Sequence, residues 1–291
     1  MASKEPNNNS FRSPLRFPGG KAFLCEYMER FLSLNQIHPK LFIEPFAGGA
    51  SISLHLLGKK LVDRIALYDR DPLIASFWFT VFNDGQWLQN KILKANITLN
   101  EWIKQQNLAL NGQRSNAWKC LFLNRTSFSG IINSEVGPLG GKNQTSDYKI
   151  NCRFNRETLL ERIRLLMEKK DKVERIATAE WYHTIKYYIN LPESQKKGLF
   201  IYLDPPFFHK AERLYNFYFK PNDHESLICY ISKIKIPWLL SYDYCHEVVD
   251  LMHKYQMQFQ LIPVRYTSGV NHKRIIKKEI VSSNLLLPKG R

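Results

Sequence analysis

The apolar positions of this chain follow two alternating rhythms. Short unbroken runs, Leu41-Phe42-Ile43, Ile65-Ala66-Leu67-Tyr68 and Leu199-Phe200-Ile201-Tyr202-Leu203, have the length and density of buried strands. Ile176-Ala177-Thr178-Ala179 and Pro237-Trp238-Leu239-Leu240-Ser241 read as further strands, and Met257 to Tyr266 with Glu279 to Leu287 as a closing pair. Between them apolar residues recur at helical spacing: Leu24, Met28, Phe31 and Leu32; Leu159, Ile163, Leu166 and Met167 after Asn155; and Leu227, Ile231 and Ile234 after Asp223, a capping residue. Helices alternating with strands predict an α/β fold.

From about Asp84 to Asn155 the rhythm breaks. This stretch carries Trp87, Trp102 and Trp118, the polar run Asn111 to Asn116 and the turn-rich Gly137-Pro138-Leu139-Gly140-Gly141-Lys142. It predicts an inserted, mainly helical unit over 85–154, dividing one α/β domain into 11–84 and 155–291. Residues 1–10 are polar and asparagine-rich and are expected to be disordered.

The run ending at Leu203 leads directly into Asp204-Pro205-Pro206-Phe207. Open α/β sheets place their sites at the carboxyl ends of strands. There, a carboxylate (Asp204) and a carbonyl (Pro205), on a turn stiffened by two prolines, can each accept one N–H of an exocyclic base amine. Such an amine is a poor nucleophile because its lone pair is delocalised into the ring. Drawing its nitrogen towards tetrahedral geometry frees that pair for methylation, and Phe207 offers a plate for a base pulled from its helix.

The first strand leads into Glu44-Pro45-Phe46-Ala47-Gly48-Gly49-Ala50-Ser51, a glycine turn with a helix starting near Ser51. The second ends in Asp69, where nucleotide-binding βαβ units place the acid that holds ribose hydroxyls. A full G-x-G-x-x-G and a P-loop lysine are both missing. That combination suits a nucleoside without a pyrophosphate: S-adenosylmethionine rather than NAD or ATP. Arg16-Phe17-Pro18-Gly19-Gly20-Lys21 opens a helix and can offer backbone N–H groups and an ammonium to that cofactor's carboxylate.

Composition adds a partner. Lys and Arg number 42 against 26 Asp and Glu, a net charge of +16 that fits a polyanion. The clusters His209-Lys210 with Arg213, and His272-Lys273-Arg274, can hold phosphates. Five dispersed cysteines without a C-x-x-C pair argue for reduced, buried thiols, with no metal site and a cytoplasmic setting. No apolar run approaches the ~20 residues needed to cross a bilayer.

Phe-Pro-Gly-Gly-Lys at 17–21, Glu-Pro-Phe-Ala-Gly-Gly at 44–49, Tyr-Asp-Arg-Asp at 68–71 and Asp-Pro-Pro-Phe at 204–207, in this order, resemble the motifs of Dam-like (alpha-group) DNA adenine-N6 methyltransferases. Phe122 to Gly130, with Asn124-Arg125, is similar to that family's Asn-Arg-aromatic-Gly stretch, and Asp223-His224 and Ser241-Tyr242-Asp243 also fit. The resemblance implies a Rossmann-like S-adenosylmethionine-dependent sheet, with 85–154 as the target-recognition domain. It implies double-stranded DNA as substrate, methylated by base flipping, with a separately acting restriction endonuclease as a candidate partner. Phe17, Gly19, Gly20, Lys21, Glu44, Phe46, Gly48, Gly49, Asp69, Glu180, Trp181 and Asp204 would then form the cofactor site. Lys21 would meet the methionine end, Asp69 the ribose, and Glu180 and Trp181 the adenine. Asp204, Pro205, Pro206 and Phe207 would be catalytic. Asn124, Arg125, Lys142, Lys210, Lys273 and Arg274 would contact DNA. Two positions depart from the pattern: Ala50 replaces a glycine and Phe207 the more usual tyrosine. The same amine chemistry leaves cytosine N4 open as target, and a non-catalytic DNA-binding protein with a relic cofactor pocket is a reading from another class.

Overall fold

A computed structural model describes residues 11–16, 20–209, 211–267 and 274–289. The runs that read as buried strands form the centre of a seven-stranded sheet. Its strands are β1 (Leu41–Glu44), β2 (Arg64–Asp69), β3 (Val173–Thr178), β4 (Leu199–Leu203), β5 (Trp238–Asp243), β6 (Phe259–Thr267) and β7 (Arg274–Ser283), in the order β3-β2-β1-β4-β5-β7-β6. The first five are parallel; β7 runs antiparallel to both β5 and β6. The order 3-2-1-4-5 is that of a doubly wound, Rossmann-like sheet. The closing pair was expected at 257–266 and 279–287. β7 starts and ends earlier because its partners reach down to Arg274.

Both faces of the sheet's centre are covered, so β1, β4 and β5 read as nearly unbroken apolar runs, while β3 at one edge keeps exposed polar positions. Phe42, Ile65, Phe200 and Tyr202 face one layer, and Leu41, Ile43, Ile201 and Leu240 the other. On the first face lie α1 (Cys25–Leu34), α2 (Ser51–Gly58), α3 (Pro72–Asn83), α4 (Gly85–Leu93), α5 (Leu99–Asn107), α6 (Gly112–Thr126) and α7 (Arg156–Met167). The second face carries α8 (Trp181–Ile189), α10 (Pro221–Ile231) and α11 (His246–Lys254), with α9 (Glu193–Lys196) a single turn ahead of β4. Phe42 stacks on Phe200 with ring centroids 5.4 Å apart, tying β1 to β4 at the core's centre.

The stretch where the strand rhythm failed is helical as far as Thr126 and runs in turns from Ser127 to Asn155. Leu88, Ile92, Trp102, Trp118, Leu121 and Phe122 share one core with Phe42 and Ile65, so α4 to α7 dock directly on the sheet's helical layer. Asn155 caps α7 by accepting from Thr158 N at 2.8 Å. Asp223 was expected to cap α10. It sits at the third helical position instead and accepts from Lys220 N at 2.8 Å, because Pro221 already opens the helix. Of the cysteines, Cys25, Cys120 and Cys245 are buried and Cys152 is exposed, which departs from the expectation of buried thiols throughout.

Candidate active site

Parallel strands end together, and here four of them end in or lead into acids. Glu44 closes β1, Asp69 closes β2 and Asp204 follows β4, around a cleft at the carboxyl edge of the sheet. Asp243 closes β5 and stands opposite Glu279 in the antiparallel β5–β7 register, which brings a fifth acid to the same edge.

Asp204 is held on one oxygen. Its Oδ1 lies 2.9 Å from Lys21 Nζ and accepts from Ser241 Oγ at 3.3 Å. Ser241 Oγ also bonds the Tyr202 hydroxyl at 2.8 Å. Lys21 is buried and reaches Glu279 Oε1 at 3.0 Å. Burial opposes the ammonium, but Asp204 and Glu279 outweigh it and hold the Lys21 pKa well above its ordinary value. Burial raises Asp204, with Lys21 and Ser241 opposing. It also pushes Glu279 up to about 7, with Lys21 opposing and Asp204 adding to the rise. Lys21 thus stands as the counter-ion between two carboxylates of the chain itself, while Glu279 Oε1 accepts no hydrogen bond among the described residues.

The rest of the turn is braced from α10 and β5. Asp243 Oδ1 accepts from Phe208 N at 3.2 Å. The His224 ring packs on Phe208 with centroids 4.6 Å apart, and its Nδ1 shares a hydrogen bond with the Tyr242 hydroxyl. Burial brings His224 down to about 4, so the ring is neutral. Phe207 is half-buried, its ring centroid 5.4 Å from Lys21 Nζ and 6.0 Å from the Tyr215 ring.

The glycine turn closes on Asp69, whose Oδ2 accepts from Gly48 N and Oδ1 from Asp71 N, both at 2.8 Å. Burial, then the charge of Asp71, pushes Asp69 up to about 7. Glu44 accepts from Ser53 N at 3.0 Å, and burial carries it up to about 8. Ala50 replaces glycine at φ 49°, in the left-handed region, which costs roughly 1–2 kcal/mol for a residue with a Cβ. The Trp78 indole N–H donates to Gly48 O at 2.8 Å and pins the turn from α3.

Phe46, Gly48, Gly49, Asp69, Glu180 and Trp181 all line the cleft, as do Gly20, Lys21 and Glu44. Phe207 stands beside it, and Glu180 pairs with Arg70 Nε at 2.6 Å. Phe17, Gly19, Lys210 and Lys273 lie outside the described residues, as do residues 1–10. Arg274 opens β7 and Lys142 is exposed on its turn.

Two expected DNA contacts face inward instead. Asn124 is buried, and its amide accepts from Arg16 N and donates to Arg16 O and Gly130 O, each at 2.7 Å. This strut explains the glycine of the stretch: at φ +77° a Cβ on Gly130 would stand 2.5 Å from Arg16 O. Arg125 is spent on the carbonyls of Pro14 and Arg153, and burial with Arg162 and Arg16 nearby lowers it to about 9.

Sequence reasoning passed over Glu279, visible only once β5 and β7 are in register. It also passed over the wall after the turn, where Tyr215, Asn216, Phe217 and Phe219 line the cleft and Asn216 Nδ2 donates to Asp71 Oδ2 at 2.8 Å. The aromatic run Tyr215-Asn216-Phe217-Tyr218 was its available signal. Phe128, 65% exposed, lies just before Gly130 on the cleft's rim. Among the described residues, His209, Cys245 and Glu247 bring ligand atoms within 4.8 Å of one another, outside the cleft and around the 3.2 Å His209–Glu247 pair. No described helix is long and apolar enough to cross a membrane.

Sheet order and an acid-lined cleft at its carboxyl edge define a Rossmann-like α/β enzyme. The sequence model of the D12 class N6 adenine-specific DNA methyltransferases matches residues 17–269, and the chain belongs to that family. No curated protein matches the chain. Solved structures similar to it include precorrin-6y C5,15-methyltransferase from Geobacter metallireducens, 12% identical over 89% of this chain and 87% of that one, with a TM-score of 0.35. Another is precorrin 8w decarboxylase of Methanobacterium thermoautotrophicum, 9% identical over 96% and 98%, with a TM-score of 0.36. Scores this low add nothing to the assignment, which stands on the sheet and the family.

Proposed function

We propose that the chain is a Dam-like methyltransferase that takes a methyl group from S-adenosylmethionine and places it on adenine N6 of a base flipped out of duplex DNA. The observation that carries this reading is Asp204 at the end of β4, with Oδ1 fixed by Lys21 and Ser241. Oδ2 is then the oxygen presented to a substrate amine, beside the Pro205 carbonyl.

The cleft's charge supports the cofactor. In a chain of net charge +16, Glu44, Asp69, Asp71, Glu180 and Asp204 line it. The cations there, Lys21 and Arg70, are both ion-paired. Both cations are thus engaged and neither is left to hold a phosphate, whereas a bound sulfonium would favour the ionised form of the raised acids. When bound, S-adenosylmethionine supplies a methyl group activated by its sulfonium. Asp69 would accept the ribose hydroxyls, Glu180 would accept from the adenine amine, and a Lys21 N–H not engaged by Asp204 would meet the carboxylate. Phe46, Ile74, Leu214 and Phe219 exclude water between them.

For the target, Asp204 Oδ2 and the Pro205 carbonyl accept the two N–H bonds and draw the nitrogen towards tetrahedral geometry. Phe207 stacks on the extruded base and recovers part of the few kcal/mol spent in unstacking it. Recognition is assigned to 85–154 by its place between β2 and β3, with Lys142 at its exposed turn. A restriction endonuclease acting separately follows from the resemblance alone. Transfer of tritium from labelled cofactor to unmethylated plasmid DNA tests the reading; an inert, folded protein that binds cofactor would contradict it.

A further inference from the structure

Glu279 is a buried acid with no task in the reading above. It is 2% exposed on β7, where pairing with Asp243 of β5 turns it towards Lys21. Lys21, 4% exposed, stands between Glu279 Oε1 at 3.0 Å and Asp204 Oδ1 at 2.9 Å. Among the described residues, the charged and titratable groups facing Glu279 are Lys21, Asp204, Asp243 and Tyr215, and its register partner on β6 is Ile262. One buried cation therefore serves two carboxylates, and fixing Asp204 needs only one of them.

The reaction proposed above creates a need for the second. The nitrogen lone pair forms the N–C bond, and the electron pair of the broken C–S bond stays on sulfur. One N–H bond then leaves its electrons on nitrogen and gives its proton to a base, and Asp204 Oδ2 is the base in reach. Once protonated, Asp204 no longer balances Lys21, and an unbalanced buried ammonium is strongly disfavoured. We propose that Glu279 is a positioning residue for methyl transfer: it gives Lys21 a second negative charge, so that Asp204 can take the amine's proton while Lys21 stays charged and in place. The proposal rests on the functional reading above.

A purely structural ion pair would affect stability and leave the behaviour of Asp204 alone. Glu279→Gln keeps the shape and an oxygen for Lys21 but removes the charge, and Glu279→Asp keeps the charge. The first readout needs no cofactor: aspartate-labelled full-length protein is titrated by carboxyl 13C NMR, with Asp204 assigned by its loss in Asp204→Asn. Because Asp204 and Glu279 share Lys21, the Asp204 carbon should follow both steps of the coupled pair in wild type and a single step in Glu279→Gln. The second readout is single-turnover methylation of unmethylated plasmid DNA. Glu279→Gln should slow it about 100-fold, the lower range of what a positioned base contributes, with KM for cofactor and DNA little changed. The wild-type rate should rise with pH through the Glu279 ionisation near 7, and the rise should be smaller in Glu279→Gln and restored in Glu279→Asp. Glu279→Asp should recover much of the rate. An Asp204 titration identical in wild type and Glu279→Gln, a pH rise as large in Glu279→Gln as in wild type, or equal loss of rate in both variants would overturn the proposal while an active wild type keeps the functional reading. A wild type that leaves DNA unmethylated would overturn both.

Discussion

Asp243 and Glu279 lie directly opposite each other in the antiparallel pair of β5 and β7, and this register carries an acid from near the end of the chain into a site otherwise built on parallel strands. Asp243 fastens the backbone of Phe208 and Glu279 fastens Lys21, so both ends of the pair brace the turn that carries Asp204.

Asp69 joins the glycine turn to the start of α3 through two N–H bonds, and in the proposed function it also receives the ribose. Asp69→Ala should weaken S-adenosylmethionine binding by about tenfold or more, since a hydrogen bond to a charged group is worth roughly 1.5–3 kcal/mol. Asp69→Asn should lose less. Calorimetric affinities within twofold of wild type for both would move the ribose elsewhere.

Glu44 gives a test in pH. Its pKa rises from 4.5 unfolded to about 8 folded, so the folded state binds the proton more tightly. The stabilisation is full below pH 4.5 and is lost as pH climbs to about 8, with Asp69 and Glu279 adding to the slope up to about 7. Glu44→Gln keeps an acceptor for Ser53 N and removes the buried charge. It should raise the melting temperature at pH 8, leave it nearly unchanged at pH 5, and weaken cofactor binding. A variant no more stable at pH 8 would show that Glu44 is ionised there at no cost.

The strands, the glycine turn and the place of the Asp204-Pro205-Pro206-Phe207 turn at a strand end were legible because each is local. A buried strand reads as an apolar run, and its end is where the acids stand. Lys21 was legible as a site residue, but its partners were not, since Asp204 and Glu279 are distant in sequence. Asn124 and Arg125 were expected at DNA from the resemblance, yet their side chains hold backbone groups of Pro14, Arg16, Gly130 and Arg153, and such partners are a property of packing. Glu279 depends on antiparallel register, which a single strand's pattern does not encode.

Phe207 needs only its ring for stacking. Phe207→Tyr should keep most of the activity, while Phe207→Ala should slow transfer to paired DNA with cofactor affinity little changed. Stacking on an aromatic is worth roughly 1–3 kcal/mol per base, so the deficit should shrink on a mismatched target that is already unpaired. Single-turnover rates on matched and mismatched duplexes decide; an alanine variant as fast as wild type on both makes Phe207 packing alone.

DNA affinity should fall steeply with salt, log K against log salt sloping by about −0.9 for each phosphate neutralised. Exchanging residues 85–154 with the corresponding segment of another family member should change the methylated sequence and keep transfer. Specificity that stays with the rest of the chain would place recognition outside that segment.

The most direct measurement is mass spectrometry of nucleosides from the DNA of cells expressing either the protein or Asp204→Ala. The account predicts N6-methyladenine with the wild type and none above background with the variant, which should still fold and bind cofactor. N4-methylcytosine in its place, or N6-methyladenine undiminished in Asp204→Ala, would contradict it.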